Sequence, residues 1–269
     1  METVGEHPVP AGPLAVRWLG HALPRVRAGE LAVVPLRLAN AGSAAWRERV
    51  LLSCHWLDDR GNAIVWDGPR TPLPREVAPG EEVDVDAVVR VAHPPGRYRL
   101  AFDLVEEFRF WFAEVGSHAL EVEVEVRPRI DERRLAVVVH GGADAGTSAA
   151  LAAQEEPPAG DGAVATAHLV AGAEPEPDWT RRLLDAHAEG FTAVGGAIEG
   201  SRELAAWSSA GGRNPAFAHP LLLPSVLAGF ATAEHAGLPA YFPERFENGE
   251  PWLYDGRIRL RLRRDRRPA

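Results

Sequence analysis

The sequence predicts two domains, an all-β antiparallel sandwich over residues 14–128 and a small α/β domain over residues 135–256. Three observations carry this reading. Residues 14–127 break into seven or eight short runs separated by turn residues, with no helical segment among them. After Pro128 a continuous apolar run, Leu135–Val139, opens a stretch in which helical spacing follows strand-like runs. The 269 residues, 46% hydrophobic and 25% charged, suit a globular chain of about two domains. Around these domains the sequence predicts a disordered N-terminus over 1–13, a polar linker over 129–134 and a basic, arginine-rich tail over 257–269.

In the first half, Val83, Val85, Ala87, Val89 and Val91 alternate with Asp84, Asp86, Val88 and Arg90. Leu120, Val122, Val124 and Val126 alternate with Glu121, Glu123 and Glu125, which puts valines into a core and carboxylates into water. Leu31–Leu38, Val50–Leu57, Ala63–Trp66, Arg97–Val105 and Phe108–Phe112 are further strand candidates. Turn chemistry separates them at Asp59-Arg60-Gly61-Asn62, Pro79-Gly80 and Pro94-Pro95-Gly96. Trp56 shares parity with Val50, Leu52 and Cys54, so it is expected to face the core. Trp66 and Trp111 stand near strand ends, beside Asp67 and Phe110–Phe112. Flat aromatics there either stack on a sugar or peptide, or plug the end of the sandwich. Trp66, Asp67, Arg70 and Trp111 are the candidate ligand-binding surface, since they join flat rings to polar groups that bond hydroxyls.

NAGSAAW (40–46), LLSCHWLDDRGNAIVWDGPRTPLP (51–74), VAPGEEVDV (77–85) and PPGRYRLAFDLVEEFRFWF (94–112) follow one another in a telling order. They resemble an Ig-like β-sandwich of bacterial surface-polysaccharide systems. That domain is attached to glycosyltransferases and is similar to the carbohydrate-binding C-terminal domain of the O-antigen transporter ATPase Wzt. A distant likeness extends to the tryptophan-marked Ig-like domain of selective-autophagy receptors. Shared marks are an Asn-x-Gly…Trp turn, a His-Trp strand, an Asp-Gly-x-Arg-Thr loop and a Pro-Gly-x-Tyr corner. The resemblance implies an Ig-like fold and glycan recognition, and it leaves the ligand unnamed.

In the second half, Ala149–Gln154 could start a helix, Glu155–Gly162 reads as a loop and Val164–Val170 as a buried strand. Asp178 caps a predicted helix carrying Leu183, Leu184 and His187 and ending at Gly190, and Phe191–Val194 leads into Gly195-Gly196. The turn His140-Gly141-Gly142-Ala143-Asp144-Ala145-Gly146 invites three enzyme readings, and each fails. The dinucleotide fingerprint lacks its middle glycine. A Walker A loop needs a lysine, and the chain has none. A lipase-type oxyanion loop needs a Gly-x-Ser-x-Gly elbow, also absent. Glu174, Glu176 and Asp178 alternate between prolines that extend the backbone. They are either carboxylates for a hard cation or an acidic helix N-terminus.

LAVVVHGGADAG (135–146), VAGAEPEPDWTRRLLDAH (170–187), AVGGAIEG (193–200), GGRNPAFAHPLLLPSVLAGF (211–230) and ENGEPWLYDGRIRLRLRR (247–264) resemble, in order, landmarks of family-2 GT-A glycosyltransferases. The resemblance makes the first segment the nucleotide-binding strand. Gly195-Gly196 match the acceptor-side glycines, and Gly212-Arg213-Asn214 the motif before the acceptor helix, which makes Asn214 a ligand-binding candidate. The departures fall on the chemistry. Where the metal motif belongs, Val170–Ala173 carries no carboxylate, and where the family's base belongs, Glu250 is followed by Pro251. The implied domain is a shortened, degenerate glycosyltransferase, a pseudoenzyme without cofactor. In the active alternative, Glu250 serves as base and Glu174, Glu176 and Asp178 hold Mg or Mn.

All 29 basic residues are arginines, against 38 acids, for a net charge of −9, which excludes a global footprint for nucleic acid. Seven of them lie between Arg257 and Arg267, where they could touch phosphate or an anionic membrane, or form a solvated terminal strand. The single cysteine, Cys54, excludes an intrachain disulfide scaffold. No secretory signal or membrane span is legible, so a cytoplasmic protein, with peripheral membrane contact left open, is expected. Three readings stand. The first is a non-catalytic glycan-recognition or docking protein partnered by a glycan or a glycosyltransferase complex in polysaccharide assembly. The others are a reduced, active glycosyltransferase using a nucleotide-sugar donor, and an Ig-like protein–protein interaction module.

Overall fold

A computed structural model describes residues 1–3, 12–140, 142–170, 172–199, 230–233 and 251–262. The chain divides into two compact units, Met1–Arg127 and Pro128–Ala269. In the first unit, chain order runs β1 (Glu2–Thr3), β2 (Val16–His21), β3 (Val26–Arg27), β4 (Leu31–Asn40), β5 (Val50–Leu57), β6 (Ala63–Val65), β7 (Thr71–Pro72), β8 (Glu82–Arg90), β9 (Gly96–Glu106), β10 (Phe110–Trp111), a 3-10 turn (Phe112–Val115) and β11 (Leu120–Arg127). Strands β1-β2-β4-β8 form one sheet, and β3-β11-β9-β5-β6 form another, with β10 on β9 and β7 on β5. All of these pairings are antiparallel except β3 with β11.

The two sheets share one apolar core, so this unit is a β-sandwich. Val34, Leu36 and Leu38 of β4 and Val83, Val85 and Val89 of β8 meet Leu52, Cys54 and Trp56 of β5 and Leu100, Phe102 and Leu104 of β9 there. Burial at about 25 cal/mol per Å² of apolar surface is the main stabilising term. Trp56 faces the core, as its parity predicts, and its indole N–H donates to the Arg90 carbonyl at 2.9 Å.

The quoted motifs resolve into structural devices. Asn40 donates through its amide to the carbonyls of Ala44 and Val77 and accepts from Gly42 N–H, which ties the turn before Trp46. The Tyr98 hydroxyl donates to the Pro94 carbonyl at 2.5 Å, the geometry of a tyrosine corner.

In the second unit, the elements are β12 (Leu135–His140), α1 (Ala145–Ala152), β13 (Ala165–Val170), β14 (Ala173–Pro175), α2 (Trp179–Glu189), β15 (Ala193–Glu199), β16 (Phe230–Ala233) and β17 (Trp252–Leu262). They form a mixed sheet of order β12-β13-β16-β15-β17-β14, in which β12–β13 and β15–β17 are parallel. Helix α2 buries Trp179, Leu183 and Leu184 in a core with Leu135, Leu169, Val194, Ile258 and Leu260.

Several boundaries differ from expectation. Within the N-terminus expected to be disordered, Glu2 and Thr3 pair with His21 and Gly20. The predicted linker 129–134 belongs to the second unit: Ile130 is buried in its core, and Arg129 N–H donates to the Ala188 carbonyl. Residues 257–262 of the expected tail continue β17. There Ile258 and Leu260 are buried while Arg257, Arg259 and Arg261 are exposed, so these arginines form the outward face of a half-buried strand. Helix α1 starts four residues early because the Asp144 carboxylate accepts from Thr147 N–H at 2.7 Å and caps it.

Asp178 does stand at the start of α2, but its backbone (φ −94°, ψ 6°) is not the extended one of a capping side chain. Its carboxylate instead takes the Arg182 guanidinium at 2.5 Å, while the Gln154 amide oxygen accepts from Thr180 N–H at 3.0 Å.

Candidate functional site

The candidate surface of the first unit is built on the outward face of β5 and β9. Ser53 and His55 have the opposite parity to Trp56 and so point away from the core, yet both are buried, because the segment after β6 folds back over them. Gly68 makes this return possible. Its N–H donates to the Cys54 carbonyl at 3.1 Å, and a Cβ there would lie 2.5 Å from that carbonyl oxygen and 2.7 Å from Cys54 Sγ. Ser53 Oγ donates to the Gly68 carbonyl at 3.0 Å.

The rings then assemble in layers. His55 stacks on Trp66, with centroids 4.1 Å apart and planes inclined by 22°. Trp111 meets His55 edge-on at 4.3 Å and Trp66 at 6.1 Å. The His55 Nδ1 position bonds the Trp66 carbonyl. Burial lowers the His55 pKa, against that hydrogen bond and the Asp67 charge, so the ring is neutral at pH 7. Trp66 is 52% exposed, whereas Trp111 is only 8% exposed.

Arg70 closes the cluster. Its guanidinium lies 4.9 Å from the Trp111 ring centroid, a cation–π contact. Nη2 meets Asp67 at 2.6 Å, Nε meets Glu107 at 2.9 Å, and Nη1 donates to Ser53 Oγ and the Gly68 carbonyl. Burial alone would lower its pKa, but the bonds to Glu107 and Asp67 outweigh it and raise it. Asp103, opposite Ser53 on β9, lies beneath; it accepts from the N–H groups of Leu104 and Ala113. Burial pushes its carboxyl up to about 7, against those two bonds. Burial pushes the Cys54 thiol up to about 12, so it is an inert core residue.

Trp66, Asp67, Arg70 and Trp111 are therefore brought together, though with unequal roles. Trp66 offers an open ring and Asp67 an open carboxylate. Trp111 offers no open face, since His55, Trp66 and Arg70 surround it, and the expectation that it contacts ligand is replaced by a supporting role. His55 was missed. A polar residue at an outward strand position signals solvent, and only the overlying segment buries it. The sequence predicts a strand beginning at Phe108; that residue is instead a turn residue with φ 64°, 97% exposed, next to Glu107. An open cleft of about 550 Å³ borders the same turn through Glu106, but Arg47, Arg49, Arg75, Glu48, Glu76 and Glu106 line it and no aromatic ring does.

In the second unit, the conditional metal set does not gather. Glu174 lies in β14 opposite Arg261, Glu176 follows that strand, and Asp178 is held by Arg181 and Arg182. Among the described residues no group of three His, Cys, Asp or Glu side chains could hold an ion. These residues do not fit a divalent cation. Asn214 and Glu250 lie outside the described residues. Gly196 is required by packing, because a Cβ there would lie 1.9 Å from the Ile258 carbonyl oxygen across the β15–β17 pairing. No helix among the described residues is long and apolar enough to cross a membrane.

No family model matches the chain, and no curated protein matches it in sequence. Solved structures similar to parts of it include a cycloisomaltooligosaccharide glucanotransferase from Paenibacillus sp. complexed with cycloisomaltoheptaose (16% identity, TM-score 0.27, 53% of this chain and 18% of that one). A family 123 glycoside hydrolase from Clostridium perfringens is similar at 10% identity and TM-score 0.20, over 47% of this chain and 26% of that one. The PapD-like domain 7 of human CEP192 is similar at 16% identity and TM-score 0.21, over 47% of this chain and 92% of that domain. The chain thus spans about a fifth to a quarter of the two enzymes it partly matches.

Proposed function

We propose that this chain is a non-catalytic glycan-recognition protein whose Ig-like sandwich binds sugar through Trp66. The observation that carries the reading is the construction of the Trp66 platform. One face of the indole is held flat by His55, which Trp111 and Arg70 lock in turn, while about half of the residue stays exposed beside the Asp67 carboxylate. A fixed aromatic plane offers apolar area at little entropic cost, and the adjacent carboxylate accepts hydroxyl protons. This chemistry agrees with the sequence resemblance to domains of surface-polysaccharide systems. In that setting the partner is a glycan or the glycosyltransferase complex that makes it, and the second unit is a glycosyltransferase-like scaffold that works without metal or other cofactor. The reading places the chain in the cytoplasm, where a lone buried thiol such as Cys54 stays reduced.

Trp66→Ala is expected to lower glycan affinity at least about tenfold while the sandwich still folds cooperatively, its melting temperature falling only by what the half-buried ring's stack on His55 contributes. Titration calorimetry beside a thermal melt reads both quantities. Wild-type affinity in the variant would remove Trp66, and with it this function. A second reading, a protein-interaction module, is favoured by one feature. The edge strand β6 leaves Ile64 and Val65 exposed, at 47% and 39%, which suits addition of a partner's strand.

A further inference from the structure

The charges around Trp66 go further than the ring, and the inference they carry rests on the glycan reading. The charged groups that act on His55, at the centre of the cluster, are Asp67, Arg70 and Glu114. Glu114 accepts from Trp111 N–H at 3.1 Å, and Glu107 holds Arg70 from the other side. Arg109 lies nearby in sequence, but its charge is met by Glu106 at 2.5 Å. With His55 neutral, Arg70 stands as one cation against the carboxylates of Asp67, Glu107 and Glu114. Arg70 has also already given four of its five N–H groups. A guanidinium has five N–H groups in a fixed fork. Here Nε is given to Glu107, Nη1 to Ser53 and Gly68, and Nη2 to Asp67, while one flat face lies on Trp111. It cannot offer the two parallel N–H bonds that recognise a carboxylate. Asp67, by contrast, gives one oxygen to Arg70, and a carboxylate has lone pairs for several more donors.

We infer that the Trp66 site selects glycans without acidic groups: it takes neutral pyranoses, or amino sugars, and rejects uronates and other anionic sugars. The ligand lays its C–H face on Trp66 and donates hydroxyl hydrogens to Asp67. An anionic substituent meets uncompensated negative charge there, and this discrimination weakens as salt screens it.

The test presents the full chain with an array of neutral, amino-sugar and uronate-containing oligosaccharides, followed by calorimetry on the best neutral binder and on its uronate counterpart at 20 and 300 mM salt. The neutral sugar is expected to bind at least about tenfold more tightly at low salt, with the gap narrowing at high salt. Glu107→Gln, which removes a charge while its amide oxygen can still accept from Arg70, is expected to narrow the gap severalfold at low salt. Uronates binding as tightly as their neutral counterparts, with binding lost in Trp66→Ala, would overturn the selectivity and leave the glycan reading standing. Binding to no oligosaccharide on the array would overturn the glycan reading and the selectivity with it. A gap that neither salt nor Glu107→Gln moves would show discrimination by shape, and the charge argument would fall.

Discussion

Two tryptophans of one cluster divide its work by burial. Trp66 keeps half its area in water, whereas Trp111 is closed in by His55, Trp66 and Arg70, and its backbone N–H is taken by Glu114. Trp111→Ala therefore opens a cavity beneath a stacked ring, and large-to-small changes of this kind cost about 3–5 kcal/mol. Urea denaturation should show that loss, and Trp111→Phe should recover part of it. A Trp111→Ala protein of wild-type stability that had lost only glycan affinity would return this residue to the contact surface. The sequence made the neighbourhood of Trp66, Asp67, Arg70 and Trp111 legible, because strand ends and turn residues marked it. The burial of Trp111 and the part played by His55 were not legible. Both depend on a non-periodic segment, 66–71, folding back over an outward sheet face, and alternation carries no signal for a cover.

At the scale of strands and helices, pattern was informative wherever one face was dry and the other wet. β4, β8 and β11 follow their alternation closely, whereas β5 and β9 are buried on both faces along much of their length. β2 escaped notice because its register shifts between Trp18 and Gly20, which breaks the period. β17 was half hidden by its arginines: Ile258 and Leu260 carry the apolar period, while the exposed guanidiniums between them resemble a charged tail. The same strand gives the glycine pair 195–196 a structural meaning. The β15–β17 register shifts between Gly196 and Ala197, and the Ile258 carbonyl comes so near Gly196 that any side chain must displace it. Gly196→Ala is expected to destabilise the second unit by about 1–3 kcal/mol or more, as overpacking does. Hydrogen exchange should rise in β15 and β17 while β9 and β11 of the first unit keep their protection. Unchanged exchange in β15 would show that the ladder can yield at this point.

Across the whole chain, each unit carries a buried titratable group, and the two respond to pH in opposite senses. In the first, burial holds Asp103 at about 7, above the ordinary carboxylate value. The native state therefore binds this proton more tightly than the unfolded chain does, and stability falls as pH rises from about 4 to about 7. In the second, burial pushes fully enclosed His187 down to about 4, while its Nδ1 bonds the Phe191 carbonyl at 2.8 Å. The unfolded chain takes that proton first, so stability falls as pH drops from about 6.5 to about 4. Between pH 5 and pH 7 the first unit should lose protection with rising pH while the second gains it. Hydrogen exchange by mass spectrometry, corrected for the intrinsic pH dependence of exchange, reads both units in one sample through peptides of β9 and α2. Asp103→Asn should flatten the β9 profile and leave that of α2 unchanged, and His187→Gln should do the reverse. Profiles that move in the same direction in the unsubstituted protein, or a β9 profile that survives Asp103→Asn, would show that other groups govern the pH response of these units. With opposed slopes, mild acidification loosens the second unit while firming the sandwich that carries Trp66, so glycan affinity should hold at a pH where α2 has begun to exchange.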